Sequence, residues 1–212
     1  MDMREIHKIL ESIRDMIIEK RKEVNISSIS SCLRMSYYRA TESYAVTEKM
    51  IMGSENHAFF ERHFARLMEE RGYVCTPEKE VEIEGVRGRV DLYCEKDDVV
   101  FVFEFKFTSH PYASNLFFPF WERQLRYYTA AVMSERGDAE VRGYLVASNF
   151  EVTQWLIHEV RDADLEQVRR EVAARASALR AAYAGGGPPP AEKGPWCGRC
   201  AFRVKCFSQQ LL

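Results

Sequence analysis

Residues 86–107, VRGRVDLYCEKDDVVFVFEFKF, read as two strands joined by a charged loop, and they decide the fold. In 99–107 the rings fall on alternate positions: Phe101, Phe103, Phe105 and Phe107. Successive side chains of a strand point to opposite faces, so the four rings share one face while Glu104 and Lys106 share the other. In 86–94 the same alternation sets Val90, Leu92 and Cys94 against Arg89, Asp91 and Tyr93. The four residues Glu95–Asp98 suit a hairpin loop. Closed symmetrically over two or four residues, that loop is expected to place Cys94 opposite Val99. Asp91 then lies opposite Val102 and diagonal to Glu104, about 7–8 Å away on the same face. A one-residue slip would carry Asp91 to the other side of the sheet.

The flanking segments supply helices. Residues 3–22 carry Ile6, Ile9, Leu10, Ile13, Met16 and Ile17 on one stripe. The polar, Ser-rich stretch 25–31 can cap a second helix running from near Cys32 through Tyr38. A third helix is expected over 54–71, with His57, Phe60, Phe64, Leu67 and Met68 on one face and Gly72 as its stop. Further expectations are a helix at 117–135, strands at 141–148 and 151–159, and a long helix at 162–184. GGGPPP at 185–190 then reads as a linker before a Cys-rich tail. This order implies an α/β fold, a mixed sheet flanked by helices. Three parts are expected: an N-terminal helical segment 1–53, a core 54–184, and a linker and tail 185–212.

Thirty basic and 32 acidic residues give a formal charge of −2, so a nucleic-acid partner must be held by a local patch rather than by a global field. Apolar residues at 46% and charged residues at 29% argue against wholesale disorder. The start MDMREIHKIL has no signal-peptide pattern, and no run reaches about 18 apolar residues. The expectation is a cytoplasmic protein with no membrane partner, in which six cysteines suit a metal or cluster better than disulfides.

Asp91 and Glu104 converging on one face offer oxygen ligands of the kind Mg²⁺ and Mn²⁺ take. A metal held there can polarise a phosphodiester and acidify its bound water, with Lys106 orienting that water or stabilising developing charge. His57 can complete such a site from its helix. Gln124 and Tyr128, at i and i+4 on one helix face, can line the substrate groove.

The ordered set His57, Asp91, Glu104-Phe105-Lys106 and Gln124-x-x-x-Tyr128 resembles the RecB-type branch of the PD-(D/E)xK nucleases. The resemblance implies His57, Asp91, Glu104 and the Phe105 backbone carbonyl around Mg²⁺ or Mn²⁺. It implies Lys106 serving the attacking water, and Gln124 and Tyr128 supporting DNA and site. Where the family places a proline before the first Asp, Val90 stands here.

Cys197-x2-Cys200-x5-Cys206 is a trio that needs a fourth ligand. Cys94 has core parity and Cys75 has no partner by spacing. Cys32, followed by Arg34 and Arg39, is the expected fourth. Four thiolates suit zinc or an iron–sulfur cluster equally. An N-terminal Cys and a C-terminal Cys trio bracketing a RecB-type core resemble the iron–sulfur nucleases. The short chain is most similar to the CRISPR-associated RecB-like exonucleases (Cas family four), and the likeness spans Cys32 to Cys206. It implies an iron–sulfur cluster of four or two irons, and trimming of single-stranded or frayed DNA ends beside the CRISPR integrase complex. A general DNA-repair nuclease and a zinc-stapled DNA-binding scaffold are the competing expectations. Arg34, Arg39, Arg123, Arg126, Arg199, Arg203 and Lys205 interleave with Tyr37, Tyr38, Phe117, Phe118, Trp121, Tyr127 and Trp196, as a single-strand groove would require. The polar stretch 110–115 is expected to form a loop over the site.

Overall fold

The computed structural model describes residues 2–5, 8, 22–42, 48–109, 111, 117–160 and 164–208. The helix expected at 3–22 and the loop at 110–115 lie almost wholly outside them. In chain order the elements are α1 (Ile26–Ser30), α2 (Leu33–Thr41), α3 (Glu48–Glu69), β1 (Val74–Ile83), β2 (Val86–Lys96), β3 (Val99–Phe107), α4 (Phe118–Arg136), β4 (Glu140–Ser148), β5 (Trp155–Val160), α5 (Leu165–Ala181) and α6 (Arg203–Ser208). A short 3-10 turn, Pro195–Arg199, precedes α6. The five strands form one sheet in sequential order, antiparallel except where β3 pairs parallel to β4 through the α4 crossover. Among the described residues no helix is long and apolar enough to cross a membrane.

Local chemistry explains the boundaries. Asn25 and Ser28 cap α1 reciprocally, at 2.8 and 3.0 Å. Asp164 caps α5 by accepting the Gln167 amide at 2.9 Å. β5 starts four residues later than the sequence suggests, because Asn149 Oδ1 takes the amides of Thr153 and Gln154 and holds 149–154 in a turn.

Helices cover both faces of the sheet. On one face Ile26, Val86, Val90, Val102, Leu125, Leu145 and Val172 belong to a single core built by α1, α4 and α5 on the strands. On the other, α3 lays Phe60 and Phe64 against Phe103 and Phe105 with ring centroids 5.1–5.4 Å apart. Edge-on ring pairs of this kind contribute about 1 kcal/mol each beyond their burial. The four β3 rings therefore share a face, as their alternation requires. A third cluster joins Cys32, Met35 and Tyr38 of the α2 region to Phe120 and to Phe202 of the tail.

Two glycines let α4 lie this close. A Cβ on Gly88 would stand 2.7 Å from the Tyr128 ring and 2.9 Å from Ile26, and one on Gly143 would collide with Thr129 Oγ1.

Candidate active site

The loop between β2 and β3 has two residues, the shorter of the two closures considered. Asp97 and Asp98 take φ of 51° and 63°, the conformation of a tight hairpin turn, while Glu95 and Lys96 stay in the ladder. The register becomes Lys96↔Val99, Cys94↔Phe101 and Leu92↔Phe103, two residues from the symmetric closure expected. A shift of two preserves the face. Continued one step beyond Leu92↔Phe103, it sets Asp91 directly across from Glu104 rather than diagonal to it.

The alternation of β2 breaks at this point. Val86 and Val90 pack into the core under α4, whereas Leu92 and Cys94 pack under α3. The single face expected for Val90, Leu92 and Cys94 is thus corrected to two. On β1, Glu78 lies between the pairs Pro77↔Leu92 and Lys79↔Val90, across from Asp91, with φ of 51°. The strand pair is kinked beside the carboxylate.

Asp91 Oδ2 accepts the Phe105 backbone amide at 2.7 Å and lies 2.9 Å from His57 Nε2. Glu104 is fully buried. Its Oε1 pairs with Lys106 Nζ, and its Oε2 has no partner. Burial, with the Asp91 charge behind it, raises the Glu104 carboxyl against the opposing pull of Lys106. Burial disfavours the Lys106 ammonium, but Glu104 and Asp91 outweigh it and raise its affinity for the proton. His57 is likewise disfavoured as a cation by burial and raised on balance by its bond to Asp91. Asp91, Glu104, Lys106, Gln124 and Tyr128 line one cleft of about 440 Å³. Gln124 Nε2 donates to the Tyr128 hydroxyl at 3.3 Å. Burial and the two acids hold that hydroxyl protonated well above its ordinary range.

One residue of this constellation was not anticipated. Glu61 follows His57 by one helical turn, is 6% exposed, and sets Oε2 3.6 Å from His57 Nδ1. Its Oε1 is buried without a partner. Burial and the nearby Asp91 charge push its carboxyl up to about 7. The sequence signal was its place one turn after His57, on the same helix face.

Among the described residues no group of three or more His, Cys, Asp or Glu side chains is arranged to hold a metal ion. The donors at the cleft nonetheless suit a hard cation. Asp91 and Glu104 offer carboxylate oxygen, and the orphaned Glu104 Oε2 is an acceptor with no protein donor.

The four free cysteines, Cys32, Cys197, Cys200 and Cys206, border one small cavity. Burial raises the Cys200 thiol, and Cys32 and Cys197 add to the rise. Arg34 anchors the linker by donating to the Pro189 carbonyl at 2.6 Å and lies 3.9 Å from Cys206 Sγ. By donor type alone four thiols suit zinc or an iron–sulfur cluster, although among the described residues these four are not arranged to hold a metal ion.

Two expectations are corrected. Cys75 and Cys94 form a disulfide, because β1 and β2 pair them directly with Cα atoms 4.1 Å apart. The expected basic groove is also partly committed to internal pairs. Arg123 binds Glu171 and Glu192, Arg126 binds Glu171, and Lys205 binds Glu42. Tyr127, Tyr38 and Phe120 are buried, and Trp196 packs on Phe120 at 4.8 Å.

The model of the PD-(D/E)XK nuclease superfamily matches residues 4–207. No curated protein matches the sequence significantly. Among solved structures, that of SSO0001 superposes with a TM-score of 0.58 at 17% identity, over 93% of this chain and 96% of that one. A candidate exonuclease from Eubacterium rectale gives a TM-score of 0.53 at 12% identity, over 90% and 89%. The alkaline exonuclease LHK-Exo from Laribacter hongkongensis gives 0.48 at 15% identity, over 91% and 96%. At these identities the first two likenesses speak for the fold.

Proposed function

The chain belongs to the PD-(D/E)XK nuclease superfamily, and on that premise we propose that it is a divalent-metal-dependent deoxyribonuclease acting on single-stranded or frayed DNA ends. One observation carries the reading: the buried Glu104 carboxylate has an unpartnered oxygen in the cleft that Asp91 and Lys106 also line. Burying a carboxylate oxygen with no donor is costly unless something positive meets it.

Asp91, Glu104, His57 and the Phe105 carbonyl are the residues that would hold Mg²⁺ or Mn²⁺. Bound there, the cation would supply Lewis acidity, polarising the phosphodiester and lowering the pKa of its water. The Phe105 amide fixes the Asp91 carboxylate before any cation arrives. Lys106 keeps an ammonium beside Glu104, where it orients the attacking water and meets the charge that develops on the phosphate. Tyr128 stays a neutral hydroxyl and, with Gln124, presents hydrogen-bonding groups to the strand in the cleft.

We assign Cys32, Cys197, Cys200 and Cys206 to an iron–sulfur cluster. Its role is that of a staple: ligation would tie the tail to α2 and add its binding energy to folding. The reading carries a place in CRISPR spacer acquisition, beside the integrase complex; the cysteine pattern is shared with repair nucleases, and genomic neighbourhood separates the two. The structural neighbour from Eubacterium rectale is itself described as an exonuclease candidate, which agrees with action at DNA ends.

The test is cleavage of end-labelled single-stranded and duplex DNA by the purified protein, with Mn²⁺, Mg²⁺ or EDTA. Metal-dependent cleavage, faster on single strands, is the expected result. No cleavage by iron-replete protein in either metal would overturn the reading. Iron and acid-labile sulfide in the purified protein test the cluster, and zinc without iron would replace it.

A further inference from the structure

Resting on that reading, we infer that Glu61 is a positioning residue: it holds His57 in the one tautomer that can serve a cation between Asp91 and Glu104.

The His57 ring stands between two carboxylates. Nε2 is 2.9 Å from Asp91 Oδ2, and Nδ1 is 3.6 Å from Glu61 Oε2. A neutral imidazole carries one N–H and one lone pair. Asp91 alone would draw the N–H to Nε2, the nitrogen that faces the catalytic acids. That nitrogen would then be a donor, with no lone pair for a cation. Glu61 supplies the competing acceptor on the opposite nitrogen. With the N–H at Nδ1, on the side where Glu61 Oε2 lies 3.6 Å away, the Nε2 lone pair faces Asp91. Carboxylate–histidine–metal triads use this arrangement to fix ring orientation and raise ligand basicity.

The placement of Glu61 is otherwise hard to explain. It is 6% exposed, yet among the described residues its ion-pair contact is with a histidine, not with a lysine or arginine. Its second oxygen has no partner. A carboxylate serving only to fill space there would be better replaced by an apolar side chain of equal size. The position is also rigid. Glu61 and His57 lie one turn apart on α3, which is anchored on the sheet through Phe60 and Phe64.

Mn²⁺ affinity, measured by calorimetry or by loss of free-ion paramagnetic resonance signal, tests the role without relying on cleavage. Glu61→Met keeps the volume and removes the acceptor, so the fold is retained. It is expected to weaken Mn²⁺ binding about 10–100-fold. Glu61→Gln keeps an acceptor oxygen and should lose much less. The decisive comparison uses His57→Ala: adding Glu61→Met to it should change Mn²⁺ affinity little, because the histidine through which Glu61 acts is gone. Unchanged affinity in Glu61→Met, or an equal further loss in the His57→Ala background, would overturn the assignment while leaving the metal site standing. A wild-type protein that binds no Mn²⁺ would overturn the metal site and Glu61's role with it.

Discussion

Asp91 accepts the Phe105 backbone amide through Oδ2 at 2.7 Å, so a side chain, not a strand carbonyl, joins β2 to β3 at the point where the acids meet. A hydrogen bond to an ionised carboxylate is short and strong. It orients Asp91 in advance, and it separates the residue's structural work from its charge.

Asp91→Asn tests that separation. The amide oxygen can still accept from Phe105, so the melting temperature should change little. The charge is lost, and cleavage should fall at least about 100-fold. Asp91→Ala should lose activity and also about 1.5–3 kcal/mol of stability, because the Phe105 amide is left unmet. Thermal melts beside cleavage rates read both quantities.

Gly88→Ala should destabilise the chain by about 1–3 kcal/mol, since the added methyl meets Tyr128 and Ile26 below 3 Å and both are packed in the core. Relief by moving Tyr128 would also disturb the cleft, so activity should drop alongside the urea midpoint.

Glu192 ties the tail to the body. Its carboxylate meets Arg175 at 2.8 Å, Arg123 at 3.1 Å and the Leu33 amide at 3.2 Å. Burial alone would raise this acid, but the Arg175 hydrogen bond and the two arginine charges hold it below its ordinary value of 4.5. A depressed acid stabilises the fold above the unfolded-chain value, and that contribution is lost as pH falls through the folded one. Glu192→Gln should therefore lower stability at pH 7, by no more than about 1 kcal/mol once solvent screening of these part-exposed pairs is allowed for. The gap from wild type should close as the pH is lowered below 4.5, as denaturant titrations at several pH values would reveal.

The two kinds of cysteine should separate. Cys75→Ser with Cys94→Ser opens a disulfide spanning 19 residues and should lower stability by about 2–4 kcal/mol with iron content unchanged. Cys32→Ala should lower stability and iron together. Full iron in that variant would remove Cys32 from the ligand set.

The hairpin 86–107 made much of this legible. Alternating Phe residues fixed the faces of β3, and the parity of Asp91 with Glu104 survived a register error of two because a strand repeats every two residues. An error of one would have separated the acids. The kink between Val90 and Leu92 was not legible: it lies across from Glu78 of β1, whose positive φ no side-chain pattern announced. The Cys75–Cys94 bond needed one more step: closing 74–83 on 86–94 at the Gly85 turn sets the two cysteines opposite each other. The fate of the arginines was hidden too. Arg123 and Arg175 look like solvated helix charges until the tail brings Glu192 between them from a distant part of the sequence. Glu61 was in plain view one turn after His57, but an acid on a helix usually faces water. Only the tertiary packing buries this one.

The most direct test of the central claim is Mn²⁺-dependent cleavage of end-labelled single-stranded DNA by the wild type, Lys106→Ala and Glu104→Gln, each shown to be folded. Cleavage by the wild type that EDTA abolishes and both variants lose is the result expected if catalysis resides on β3. Wild-type cleavage that persists in both folded variants would contradict it and move the active site elsewhere in the chain.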